Sequence, residues 1–227
     1  MMWITAEDLS RLAASNNLEN MEAIAEAKSH PKEEQFRLLM EQSLMELPIA
    51  PFLANTPQFK QWFSQLQLLA PEIWSNEPNT WKTYGQLLQF SYKNVILSTK
   101  IDLLIYRYQQ LEIINWATHC PEDLENVLTD WKPQLDLFIL AKTESYLPSQ
   151  IQMTYWFLQE ENDPIKVSRS YSMEAYQAFQ EQLEQVLSKI SPPDGTNNFP
   201  VEDTLTQFLR GKISIKNYLD SIPEIEI

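Results

Sequence analysis

Three glycines in 227 residues constrain this chain more than any other feature of its sequence. Average usage would supply roughly sixteen. Gly85, Gly195 and Gly211 cannot by themselves furnish the left-handed turns on which sheets and hairpins ordinarily draw. The same scarcity leaves no glycine-rich loop to cradle a phosphate, which excludes P-loop and Rossmann classes. The fourteen prolines fall mostly between apolar periodic runs, where a helical protein places them. Together these features predict a mainly α fold. The expectation is a multi-helix, bundle-like globular domain of about nine to eleven helices. At most one short strand-like segment is expected, near residues 165–171.

Local signals fill in that outline. Thr5 with Asp8 has the form of a capping box and opens a helix to about Ser15. A second helix is expected from Leu18 to Lys28, and a third from Pro31 with an acidic first turn that suits the helix dipole. Thr56 and Pro57 start a run that sets Phe59, Trp62, Phe63, Leu66 and Leu69 on one face. Short helices are also expected at "CPEDLENVLTDW", "PQLDLFILAKTESY" and "PSQIQMTYWFLQEE". Ser172 caps the clearest amphipathic helix of the chain. The cluster of Pro, Gly and Asn at 191–200 reads as a linker between a core domain, 1–190, and a small C-terminal helical element, 201–227.

The most apolar stretch, residues 90–120, reads as a central buried helix. Leu97, Ile101, Leu104, Tyr108 and Leu111 fit the 3.6-residue period, whereas strict alternation breaks at Leu103–Leu104 and Ile113–Ile114. On such a helix Lys93, Lys100 and Arg107 would form one line of positive charge, because seven residues make nearly two turns. A charge line on a buried helix must pair with carboxylates, reach water or meet a ligand. The stripe, joined by Lys166 and Arg169, is therefore the candidate site for an anion or an acidic partner segment, weighed against internal pairing with the many acids of the chain.

Net charge is −14. It argues against a general nucleic-acid footprint and against anionic membranes. Only His30, His119 and Cys120 could offer nitrogen or sulfur to a metal, and they lack the spacing of a zinc site, so no metal or cofactor is expected. His119 and Cys120, just before Pro121, can be read as an activated thiol at a helix N-terminus, or more simply as a small residue closing a buried helix. No secretory signal is expected at the start of the chain, no span for membrane insertion exists, and one cysteine suits a cytoplasmic setting.

With no catalytic motif, the expected function is a non-catalytic cytosolic interaction protein. An adaptor, an assembly factor or an inhibitor of immunity type would meet a protein partner, basic by charge complementarity, through the acidic surface. Two alternatives stand beside it. One is an all-helical binding protein or enzyme with an anion site at Lys93, Lys100 and Arg107. The other is a subunit of a larger complex, nucleoprotein included, which is the one setting in which nucleic acid is expected.

Overall fold

The structure is a computed structural model, describing residues 2–14, 31–124, 126–160 and 162–190. The chain separates into two compact units, Met1–Lys189 and Ile190–Ile227. The expected helix over Leu18–Lys28, His30, the 191–200 linker and the 201–227 element all lie outside the described residues.

A six-stranded mixed sheet organises the first unit, and it overturns the mainly α expectation. In chain order the elements are β1 (Met2–Ile4), α1 (Ala6–Ala14), α2 (Pro31–Leu44), α3 (Ala50–Asn55), α4 (Pro57–Leu69), β2 (Trp81–Tyr92), β3 (Val95–Arg107), β4 (Gln110–Ala117), α5 (Trp131–Thr143), β5 (Ile151–Phe157), β6 (Ile165–Ser170) and α6 (Met173–Ser188). The strands run β1-β3-β4-β5-β6, with β2 on the other edge of β3. Strands β2, β3 and β4 form an antiparallel meander. After α5 the chain returns as β5, parallel to β4, and β6 closes that side antiparallel.

The glycine argument fails for a specific reason. Tyr92 pairs with Val95 across a two-residue turn, and Lys93 adopts the left-handed conformation there, φ +52°. Asn79 takes the same region, φ +59°, just before β2. The second hairpin turns between Arg107 and Gln110, again without glycine. A lysine accepts the steric cost of a left-handed turn when two long strands fix the geometry around it.

The stretch read as a buried helix is instead β3, its turn and β4. Residues 101–106 and 111–116 are buried without interruption, so the two-residue period is masked by burial on both faces. "PSQIQMTYWFLQEE" becomes a short turn and β5 rather than a helix, and "CPEDLENVLTDW" holds only a 3-10 turn at Val127–Thr129. Helices pack on both faces of the sheet. On one, Phe36, Met40, Trp62 and Leu66 of α2 and α4 meet Leu103, Ile105, Ile114 and Trp116. On the other, α5 packs beside α1 and α6, with Phe138 edge-on to Tyr92 and Phe179. The capping reads at Thr5–Asp8 and Ser172 appear as real hydrogen bonds.

Candidate functional site

Strand β3 divides one of its edges between two partners. Its first residues pair parallel with β1, Val95 to Leu97 against Met2 to Ile4. Its last residues pair antiparallel with β4, from Leu103↔Ile114 to Arg107↔Gln110. Beyond Ile114, β4 continues through Asn115, Trp116 and Ala117 on β5 alone. The sheet forks there, and among the described residues no strand pairs with β3 98–102 on that side. Strand β2 is irregular at the same level: Gly85, φ +58°, stands between Tyr84↔Leu103 and Gln86↔Ile101, opposite Asp102.

Backbone groups freed by a fork must find other partners, since a buried unpaired amide is costly. Side chains supply them. Asn115 Oδ1 accepts the Asp102 N–H at 3.2 Å, and Asp102 Oδ2 accepts the Trp116 N–H at 3.0 Å. Lys132 Nζ, from the first turn of α5, donates to the Lys100 carbonyl at 2.9 Å.

Behind these bonds lies a buried polar cluster. Asp136 on α5 is fully buried; it accepts from Lys132 Nζ at 2.8 and 2.6 Å, from Asn115 Nδ2 at 3.2 Å and from the Thr99 hydroxyl. Arg37 of α2 closes the other side. Its Nε lies 3.2 Å from Asp102 Oδ1, its Nη2 lies 2.8 Å from Glu33, and the same Nη2 reaches the Trp116 carbonyl. Burial pushes the Asp102 carboxyl above its ordinary value, further than Arg37 and the Trp116 N–H pull it back. Burial works against the Arg37 charge, but Asp102, Glu33 and Glu34 together outweigh it and hold the guanidinium pKa above its ordinary value. Burial also raises Tyr155, beside Asp136 and Asn115, well above the ordinary phenol range.

Among the described residues, no three or more His, Cys, Asp or Glu side chains are grouped so as to hold a metal ion. At the fork, all four carboxylate oxygens of Asp102 and Asp136 already receive N–H or O–H donors. The arrangement as it stands does not fit a divalent cation. It does offer a carboxyl with a raised pKa, which suits proton transfer; Lys132 and Arg37 are already paired with acids, and Lys100 beside Glu34 is the more exposed cation.

The charged residues singled out from sequence are scattered by the strand geometry. Lys93 sits in the hairpin turn, 3.5 Å from Glu184. Lys100 and Arg107 belong to β3; they pair with Glu34 at 3.4 Å and Glu112 at 3.0 Å. Lys166 on β6 lies 3.8 Å from Glu72 and over the Trp156 ring. Arg169 lies opposite Met153 in the β6 register. The structure brings only Lys100 to the fork. His119 and Cys120 follow the end of β4 in irregular chain; the free, half-buried thiol of Cys120 stands at no helix N-terminus.

Asp102, Asn115, Asp136, Arg37 and Lys132 were not among the sequence candidates. A signal for two of them exists: Asp102 and Asp136 each stand alone inside an otherwise apolar run, "IDLLIY" and "LDLFILA". A carboxylate there must be buried with partners or terminate an element.

A meander, a helix and a returning parallel strand, with acids gathered where the sheet forks, define an α/β domain with a polar centre at a strand fork. The sequence pattern of the PD-(D/E)XK nuclease superfamily matches residues 9–204, and the chain belongs to that superfamily. Membership overturns the reading as a non-catalytic adaptor and removes the ground on which metal chemistry was excluded. No curated protein matches the sequence. Among solved structures, a crystal structure from Eubacterium rectale described as "Putative exonuclease" is 8% identical, with 99% of this chain and 90% of that one covered and a TM-score of 0.49. The structure of SSO0001 is 11% identical, covering 83% and 96%, with a TM-score of 0.28.

The superfamily's name spells an acid and a lysine two residues apart, a spacing that puts both on one face of a strand. Among the described residues this tripeptide occurs once, as Asp130-Trp131-Lys132, across the start of α5. On β4 at the fork, Asn115 and Ala117 stand at that spacing.

Proposed function

We propose that this chain acts on nucleic acid, with the fork between β3 and β4 as its working site and the phosphodiester backbone as the group it engages. The observation that carries the reading is the buried cluster of Asp102, Asn115 and Asp136 at the point where the ladder stops, in a chain of the nuclease superfamily. A fold can fill a gap between strands with apolar side chains at less cost than with buried charge. In this reading Asp102 is the proton acceptor, while Lys132, Arg37 and the half-exposed Lys100 supply the positive charge that a phosphate requires.

A second reading, engagement of the backbone without cleavage, is favoured by the donor-saturated carboxylates. With a net charge of −14, long-range electrostatics oppose either mode. Contact therefore rests on the local cations and weakens steeply with salt. No described helix is long and apolar enough to cross a membrane, and the lone Cys120 suits a reducing, cytoplasmic compartment.

The test uses labelled single- and double-stranded DNA and RNA at low salt, with and without magnesium or manganese, scoring cleavage and retention separately. Cleavage lost in Asp102→Asn supports the first reading. Retention without cleavage, lost in Lys132→Gln, supports the second. Neither cleavage nor retention of any substrate contradicts the proposal.

A further inference from the structure

At the opposite end of β3 from its β1 pairing, aromatic rings gather around an open cavity of about 370 Å³. Trp81 at the start of β2 and Tyr106 near the end of β3 are register partners, and their rings stack at 4.7 Å and 11°. Tyr146, after α5, tilts toward Tyr106 at 6.5 Å. Tyr108, in the β3–β4 turn, completes the lining and is 88% exposed; Trp81 is 59% exposed. Tyr106 lies four residues from Asp102, roughly 13 Å along the strand, so this cavity is separate from the fork.

The polar tips of two rings are already committed. The Tyr106 hydroxyl donates to Glu144 Oε1 at 3.3 Å, and the Tyr146 hydroxyl donates to the Arg107 carbonyl at 2.8 Å. Tyr106 is only 5% exposed and stacks one face on Trp81, so the accessible ring surface of the cavity is mainly that of Trp81 and Tyr108. Of the residues lining it, Glu144 alone carries a formal charge. Ring faces carry negative electrostatic potential and attract cations, and a carboxylate adds to that attraction while repelling phosphate. The protein's −14 charge acts in the same direction.

We infer that the Trp81–Tyr106–Tyr108–Tyr146 cavity, with Glu144, is a binding site for an organic cation: a quaternary ammonium or guanidinium head, free or carried on a side chain.

Calorimetric titration of the full chain with choline tests it, with 3,3-dimethylbutanol as the neutral probe of the same shape and adenosine monophosphate as the stacking anion. Saturable choline binding is expected, at least tenfold tighter than the alcohol and weakened at least tenfold in Glu144→Gln and in Trp81→Leu. Thermal melts of both variants confirm folding, and Glu144→Gln keeps the shape of the site if Trp81→Leu does not fold. Peptides bearing arginine or trimethyl-lysine, compared with choline, tell a side-chain source from a free amine. Equal binding of the alcohol, preference for the nucleotide, or no binding of any cation overturns the inference. None of these results depends on activity at the fork.

Discussion

Asp102 and Trp116 stand on strands that have already parted, and the Asp102 carboxylate accepts the Trp116 N–H at 3.0 Å across the opening. Asn115 returns the exchange by accepting the Asp102 N–H at 3.2 Å. Two side chains thus take over the work of a ladder that ends at Leu103 and Ile114. The fork, its buried charges and the proposed function all meet at this pair.

Burial raises the Asp102 carboxyl above its ordinary 3.8. The folded protein then holds this proton more tightly than the unfolded chain does. The stabilising contribution is complete below 3.8 and is lost as pH rises through the folded value. Asp102→Asn removes this dependence. In urea denaturation at fixed ionic strength, the stability of wild type relative to the variant should fall from about pH 4 to pH 7. A relative stability that rises over this range would show that the carboxyl is depressed instead.

Lys132→Met should leave the fully buried Asp136 without its cation and cost about 3 kcal/mol. Adding Asp136→Asn should recover a large part of that loss. A double-mutant cycle by chemical denaturation reads the coupling. Additive losses would mean that Lys132 and Asp136 do not act as a pair.

Asn115→Asp would place a third carboxylate between Asp102 and Asp136. Without divalent ions the variant should lose about 3 kcal/mol, because uncompensated charge is buried. Manganese should raise its melting temperature more than that of the wild type. Equal shifts in both proteins would show that residue 115 does not control cation entry.

Gly85→Ala tests the irregularity opposite Asp102. The added Cβ would sit 2.8 Å from the Glu41 carboxylate oxygens, with φ at +58°. Glu41 is long enough to move aside, so the conformational strain remains as the main cost, about 1 kcal/mol. A stability unchanged within error would place Gly85 in ordinary extended backbone.

Tyr92 joins the β2–β3 turn to α6 by donating to Glu184 at 2.7 Å. Burial, reinforced by that hydrogen bond and the Glu184 charge, raises the phenol from its ordinary 10.0 to about 12. Its contribution is complete below pH 10.0 and is lost as pH rises toward 12. Ultraviolet titration should find one tyrosine near 12 that is absent in Tyr92→Phe, and its persistence in that variant would reject the assignment.

What was legible in the sequence was local. Thr5, Pro31, Thr56 with Pro57, and Ser172 each begin a helix where their chemistry said one should begin. The sheet was hidden by two physical facts. Strands β3 to β5 are buried on both faces, so alternation gives way to continuous apolar runs that also satisfy a helical period. Left-handed turns, normally flagged by glycine, are made by Lys93 and Asn79. The fork was invisible for a third reason. Asp102, Asn115 and Asp136 converge only through strand register and helix packing, and no spacing along the chain records that.

Hydrogen–deuterium exchange of the full chain, with and without a single- or double-stranded oligonucleotide at low salt, tests the central claim most directly. Protection concentrated in residues 98–102, 114–118 and 130–136, and abolished in Lys132→Gln, is the predicted result. Protection confined to other surfaces, or none with any nucleic acid, would contradict the assignment of the fork as the functional site.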